Sequence, residues 1–278
     1  MLTIRAMAQL IHRTPDTNRV SLRPYLPLVA IVVMFSVAVL IAPGDIAAKA
    51  TLLLHGVCAQ RASHSLVLGT SPLPLDARMT GVYLGALTTS LWILAQGRGR
   101  AGRVPPRRVL LVLALFVAIM AMDGMNALLG DLHIAQLYPA TNGVRLGTGL
   151  LAGIALGVGG SHLLATAVGR QPGAVVTRTA ELAWLMVLSI AVAGPALSGL
   201  GIFYGPYAIG LLLAVVTVFW QFTAALLGML FPADRKGCAN RDFALVATAS
   251  LCLVLLIMLM TSALRTWAEL ALILPKLT

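Results

Sequence analysis

Residues 109–129 read VLLVLALFVAIMAMDGMNALL, an apolar run that carries a single charged residue, Asp123. A helix of about 20 apolar residues is long enough to cross a hydrocarbon core about 30 Å thick. Strands of an outer-membrane barrel would instead need only about ten alternating residues each. The stretch therefore predicts a membrane-spanning helix with one carboxylate inside it.

Composition extends this prediction to the whole chain. Its 278 residues are 59% hydrophobic and 10% charged, with a mean hydropathy of +0.93, whereas a soluble domain is about half apolar and about a quarter charged. Since lipid tolerates no unpaired backbone, the apolar runs should be helices. We expect an all-α integral membrane bundle of about seven transmembrane helices, at 25–42, 79–96, 109–129, 144–169, 181–201, 207–231 and 243–264. Residues 44–57 are too short and interrupted to cross, and predict an interfacial or re-entrant helix.

The basic residues predict the orientation. The N-terminal arm and the second, fourth and sixth connections hold fourteen Lys and Arg, and the remaining regions hold six. By the positive-inside rule, the N-terminus is cytoplasmic and the C-terminus lies outside. This distribution also accounts for the net charge of +11 without nucleic acid. We divide the chain into a cytoplasmic arm (1–24), a four-helix membrane region (25–169) and three further transmembrane helices (170–278).

Polar residues cluster at the predicted outer end of the bundle. A carboxylate in hydrocarbon is costly and needs a partner or water, and Asn126 lies one turn after Asp123, on the same helix face. Arg78 and Arg145 enter the second and fourth spans from the outer side, so Asp123 should pair with one of them. The cluster, completed by Asn142, is either a structural tie between helices or a pocket for an ion, a proton or a headgroup.

The fourth span carries glycine at every fourth position, at Gly149, Gly153 and Gly157. Such spacing makes a smooth helix face that another helix can approach closely. We therefore assign these three residues to helix packing.

Histidines and cysteines give little sign of a cofactor. His162 is the histidine that lies well inside a span, and haem or a chlorin ligated by it is an alternative to a simple hydrogen bond. His55 and His64 flank Cys58 on the predicted outer side, where a metal site is an alternative to ordinary interfacial residues. The sequence predicts no cofactor and no metal.

Three stretches together resemble a family of prokaryotic membrane proteins, domain of unknown function 2085. They are CAQRASHS with LPLDARMTGVYLG (58–85), DGMNALLG (123–130) and TNGVRLGTGLLAG (141–153). The family pattern reads approximately C-H-Q-x-x-x-R-S, L-P-x-C-x-R-C-T-G-x-Y-x-G, D-G and T-N-x-x-R-x-x-T-G. Ala59, Asp76 and Met79 replace its His and two Cys, which implies that any metal or disulfide capacity of that set is absent here. The resemblance implies the cytoplasmic membrane of a prokaryote and names no activity.

Three functions fit these features. The first is a non-catalytic accessory or scaffolding subunit of a larger membrane complex, with lipids and other membrane subunits as partners. The second is a transporter or a small-ligand or ion binder that uses Asp123, Arg78 and Arg145. The third is a membrane enzyme, for which Asp123 is the candidate acid or base. We expect the first, without catalytic residues.

Overall fold

A computed structural model describes residues 26–133, 135–168, 171–231 and 239–273. These residues are mostly helical, as the composition predicts, and the predicted arm at 1–24 lies outside them. The helices are α1 (Leu26–Ile41), α2 (Ile46–Leu54), α3 (Ala77–Ala95), α4 (Arg107–Asp131), α5 (Asn142–Val168), α6 (Thr179–Ala193), α7 (Tyr204–Leu230) and α8 (Ala239–Ile273).

Five of the helical segments are long and apolar enough to cross a membrane: α4, α5, α6 with the turn that follows it, α7 with the turn that precedes it, and α8. The transmembrane class is therefore confirmed. α1 has 16 residues and belongs to the shorter apolar helices. α3 has 19 residues, but threonine, serine and glycine lower its hydropathy. The total of seven spans, the orientation and the division into regions stay predictions.

The centre of the bundle is α3, which has buried residues along its whole length. It packs most extensively against α5, and also contacts α6 and α7. A helix surrounded by protein needs no lipid-facing surface, which explains how α3 carries buried Thr80, Thr88, Thr89 and Ser90. In membranes such small polar residues favour helix–helix contact.

Glycines set the distance between α3 and α5. A Cβ added at Gly153 would collide with the carbonyl oxygen of Val82 and lie 3.0 Å from the Ala86 nitrogen. From the other side, a Cβ at Gly85 would lie 2.6 Å from the carbonyl oxygen of Leu150. Gly149 and Gly157 also face the α3 backbone. The glycine face is therefore occupied within the chain.

One end of the bundle, which we call the motif face, consists of residues 44–76, residues 135–141 and the helix ends that they contact. Here the structure adds an element that the all-helical prediction lacks. An antiparallel hairpin pairs β1 (Ser65–Leu68) with β2 (Ser71–Asp76). Gly69, at φ +64°, makes the turn, and its amide donates to the carbonyl of Gly199 at 2.7 Å. The predicted interfacial segment 44–57 contains the short helix α2, capped by Asp45.

The opposite end, the arginine face, includes residues 96–106 and 171–178. A short parallel pair joins β3 (Ala101–Arg103) to β4 (Gln171–Ala174). Arg98 forms an ion pair with Glu181 at 2.8 Å, and Thr177 donates to the same carboxylate. These contacts tie two connections together where the sequence predicts only loops.

Two helices end at other residues than the approximate predicted spans do. α6 ends at Ala193, because Gly194 and Pro195 lead into a 3-10 turn over Gly194–Leu197, whereas the prediction runs to residue 201. α8 continues to Ile273, nine residues beyond the predicted end at 264. Hydropathy detects the part of a helix suited to lipid, and the last turns of α8 carry Arg265 and Glu269, which contact the motif face.

Candidate functional site

Asp123 is almost completely buried, with 1% of its surface exposed. Arg78, in the first turn of α3, donates from Nη2 to Asp123 Oδ2 at 2.6 Å. Thr148 on α5 donates to the same oxygen at 3.1 Å, and the Tyr138 hydroxyl donates to Oδ1 at 2.8 Å. The carboxylate thus joins α3, α4, α5 and the 135–141 loop. We call Arg78, Asp123, Tyr138 and Thr148 the Asp123 tie.

Asn126 fixes the loop that delivers Tyr138. Its side-chain amide donates to the Tyr138 carbonyl at 2.9 Å and accepts from the Leu137 amide at 2.8 Å. Gln136 adds a bond to the Asn126 carbonyl at 3.2 Å. Asp123 and Asn126 share one helix face, as their spacing indicates, but the Asn126 side chain bonds to the loop backbone and not to the Asp123 carboxylate.

Tyr138 is the member of the tie that the sequence did not single out. Desolvation, together with its bond to the Asp123 carboxylate, raises the pKa of Tyr138, so the phenol stays protonated and donates. The sequence feature that could have indicated Tyr138 is its position: it is the one tyrosine in the short connection that follows α4, the helix that carries Asp123. The sequence does predict that the Thr148 hydroxyl adds a hydrogen bond between helices, and in the structure it donates to Asp123.

The Asp123 carboxylate is already occupied by donors of the protein itself. A general acid or base needs a position within hydrogen-bond reach of a reacting group, and the Asp123 oxygens already accept three bonds from the protein. A buried charge is tolerated when it is paired and hydrogen-bonded, as Asp123 is here. The arrangement orients helices and holds a loop.

The side chains of Arg145 and Asn142 form a contact separate from those of the tie. Arg145 donates to Asn142 Oδ1 at 3.1 Å, and Asn142 donates to the Ser65 carbonyl on β1 at 3.2 Å. Of the two arginines considered for Asp123, the structure therefore pairs Arg78. Asn142 connects the start of α5 to the hairpin.

Cys58 lies against the start of α3. Its thiol is 3.4 Å from Asp76 Oδ2, and its sulfur accepts from the amides of Gln60 and Asp76 at 3.5 Å each. Asp76 also caps α3 by accepting from the Met79 amide at 2.8 Å. Positions 58 and 76, which hold thiols in the family pattern, are thus neighbours in space, and here a carboxylate replaces one of them.

Burial raises the pKa of Cys58 above the ordinary thiol value, and the Asp76 charge adds to the effect against two backbone hydrogen bonds. A raised pKa leaves less thiolate at a given pH, so alkylation should need more alkaline solution. In a C238S/C252S variant, we expect the iodoacetamide rate of Cys58 to reach half-maximum at higher pH than in the same protein unfolded in SDS. A folded-state midpoint at or below the unfolded one would contradict this.

The end of α8 clamps the chain between α2 and β1. Arg265 donates to the carbonyls of His55, at 2.6 Å, of Ala59, at 3.1 Å, and of Cys58. Glu269 accepts from Arg265 Nε at 2.8 Å and lies 2.9 Å from His55 Nε2. Backbone carbonyls that no strand or helix uses are satisfied here by one guanidinium.

Replacing Arg265 with methionine should release this clamp while keeping the apolar stem. Charge-assisted bonds contribute about 1.5–3 kcal/mol each, so amide exchange over residues 55–60 should accelerate at least about tenfold. Hydrogen-exchange mass spectrometry measures this, with R103M, an exposed arginine of the arginine face, as control. Unchanged exchange over residues 55–60 would refute the clamp.

The residues considered for metal or cofactor binding do not converge. His55 lies between Gln60 and Glu269, whereas His64 is 3.8 Å from Asp131 and Cys58 contacts Asp76. Within the described ranges, no three His, Cys, Asp or Glu residues are grouped to hold a metal. The Nδ1 of His162, on α5, is buried without a hydrogen-bond partner among these residues.

The motif face also contains an open cleft of about 520 Å³ between α2 and the end of α8. Asp45, Thr51, His55, Tyr204 and Glu269 are among its lining residues. No member of the Asp123 tie lines this cleft. The tie and the cleft are therefore separate features of the same face.

Comparison with known proteins supports the resemblance seen in the motifs. Residues 58–158 match the model of a family described as predicted membrane protein, domain of unknown function 2085. Neither the curated proteins nor the solved structures gave a match. The matched region begins at Cys58 and includes α3, α4 and most of α5, hence the whole Asp123 tie. The resemblance to this family is thus confirmed for residues 58–158, the part of this membrane protein that forms the tie.

Proposed function

We propose that this chain is a non-catalytic accessory or scaffolding subunit of a larger membrane complex. The observation that carries the proposal is the closed Asp123 tie: the one acid deep in a predicted span is 1% exposed and accepts from Arg78, Tyr138 and Thr148. A buried carboxylate whose oxygens already accept from the protein's own donors favours a structural role over transport or catalysis.

The motif face supports this proposal as a docking platform for another subunit. Asn126 fixes the 135–141 loop, Asn142 fixes β1 and Arg265 fixes the chain after α2. The loop and the turn before α7 nevertheless present strongly exposed apolar side chains, Leu137 at 82% and Ile202 at 81%. Fixed backbone with exposed apolar side chains is what a protein–protein contact uses.

The proposed setting is the cytoplasmic membrane of a prokaryote, with the N-terminus inside and the motif face outside. Lipids and other membrane subunits are the proposed partners, and no cofactor is part of the proposal. α1 contacts α8 but has no buried residue, so most of its surface is available to lipid or to another subunit.

Site-specific photo-crosslinking in the native membrane tests the proposal. A photoreactive residue at Leu137 or Ile202 should give one defined adduct with a different membrane protein, whereas one at Arg103, on the opposite face, should not. Native electrophoresis after mild solubilisation should show a complex well above the 29.1 kDa chain. A lone monomer without a defined adduct at either position would overturn the proposal.

A second candidate function is transport or the binding of a small ligand or ion through Arg78, Asp123 and Arg145. The observation that favours it is that Arg145, unlike Arg78, forms no ion pair with a carboxylate of the described ranges. Uptake or binding that depends on Asp123 in proteoliposomes would favour this candidate over the scaffold.

A further inference from the structure

Arg145 lies in the first turn of α5 and is nearly buried, with 8% of its surface exposed. Among the described residues, the structure gives its guanidinium one hydrogen bond, to Asn142 Oδ1 at 3.1 Å, and no ion pair. An arginine has five N–H donors and remains charged in proteins. Most of this donor capacity therefore has no acceptor in the described parts of the chain.

The surroundings of Arg145 make a lone cation there unfavourable. The N-terminal end of a helix carries a partial positive charge, which disfavours cations and favours anions. Asp123 is paired with Arg78, and Asp131 is paired with Arg61 at 3.0 Å. Since buried charges are expected to be paired, an anion bound at this position would be favourable.

His64 lies next along the chain to this contact. Asn142 accepts from Arg145 and donates to the carbonyl of Ser65, the residue after His64, and the Nε2 of His64 lies 3.8 Å from Asp131 Oδ1. Burial lowers the pKa of His64, as do the charges of Arg145 and Arg61, against Asp131 and Asp76. A nearby anion would act in the opposite direction.

The guanidinium is accessible from the motif face. Arg145 has no nitrogen that is both fully buried and unpartnered, so the edge not held by Asn142 reaches the surface. The planar edge of a guanidinium matches two oxygens of a phosphate. In the membrane, a helix end of this kind lies at the level of the lipid headgroups, just outside the hydrocarbon core.

We propose that Arg145, with His64 and the start of α5, binds a phosphate-type oxyanion. The oxyanion is either the phosphate of a lipid headgroup or free phosphate. This site goes beyond the scaffolding role and does not depend on it.

The experiment uses the full chain in dodecyl maltoside, a detergent without phosphate. Inorganic phosphate is titrated at constant ionic strength against chloride, and phosphatidylglycerol is titrated in mixed micelles in a second arm. The readouts are the apparent affinity and the pH titration of the His64 imidazole by NMR, with the signal assigned by H64Q. R145Q is compared with R103Q, which removes the same charge from the arginine face.

One or both probes should bind the wild-type chain and move the His64 titration to higher pH. R145Q should weaken binding at least about tenfold, the loss of one charge-assisted contact, and R103Q should leave it unchanged. Response to phosphate identifies a free-anion site, and response to phosphatidylglycerol alone identifies a headgroup site. Unmoved His64 titration with both probes overturns the proposal, as does equal affinity in R145Q and R103Q. If R145Q does not fold, the wild-type titration decides.

Discussion

Replacing Asp123 with leucine is expected to destabilise the protein by about 3 kcal/mol or more, because it leaves Arg78 partly buried without its partner. It also removes the acceptor of Tyr138 and Thr148. Total stabilities of about 5–15 kcal/mol are usual, so the variant should unfold at a much lower temperature or SDS fraction. Thermal and SDS unfolding followed by circular dichroism in dodecyl maltoside measure the change.

Two further variants distinguish the loss of the tie from the effect of removing any negative charge. D131N breaks an ion pair whose arginine, Arg61, is 61% exposed, and exposed pairs contribute less than about 1 kcal/mol. Combining D123L with R78M removes both charges and should restore part of the stability, since no unpaired cation remains. If D123L lowers the stability of the protein no more than D131N does, the tie contributes little to that stability.

Replacing Gly153 with leucine should abolish the α3–α5 contact. Even a Cβ at this position would collide with the Val82 carbonyl, and this neighbour is rigid helix backbone. Adding one or two methylene groups to a well-packed interface costs about 1–3 kcal/mol. A leucine at this position adds more volume than that, so its cost should be larger. We expect little folded protein, measured by size-exclusion chromatography and by trypsin resistance in detergent.

Gly159 provides a matched control on the same helix. A Cβ there has no neighbour within 4 Å, so G159L adds the same side chain without the collision. Both substitutions raise helix propensity and hydrophobicity equally. If the G153L variant folds as well as the G159L variant, the packing of α3 against α5 does not require the close backbone approach at Gly153.

Much of the architecture could be predicted because the bilayer restricts the options. Long apolar runs such as 109–129 must be helices, and α4 spans Arg107–Asp131. α3 was also placed correctly as a helix, although buried threonines reduce the hydropathy that identifies spans. Hydropathy reports contact with lipid, and α3 lies mostly inside the bundle.

The choice of partner for Asp123 could not be predicted. Arg78 and Arg145 both enter their helices from the same end, and only the rotation of each helix decides which one faces Asp123. The glycines of α5 pack on α3. In this packed arrangement, Arg78 of α3 and Thr148 of α5 both reach Asp123. Tyr138 was missed because a loop residue carries no periodic pattern.

The hairpin was missed for a different reason. β1 and β2 are four and six residues long, and β2 contains Pro72 and Pro74, which argue against a strand in sequence. Both prolines are tolerated because the sheet has only two strands, so much of each edge needs no partner. The end of α8 was missed because Arg265 and Glu269 interrupt its apolar pattern while serving as contacts to the motif face.

Carboxylate footprinting tests the central claim most directly, namely that Asp123 is sealed in a structural tie. The folded chain in detergent is treated with a water-soluble carbodiimide and glycine ethyl ester, and modification is located by peptide mass spectrometry. Asp131, whose side chain is 41% exposed, should be modified readily, and Asp123, at 1%, should react only after unfolding. Modification of Asp123 in the folded protein at a rate comparable to that of Asp131 would contradict the account.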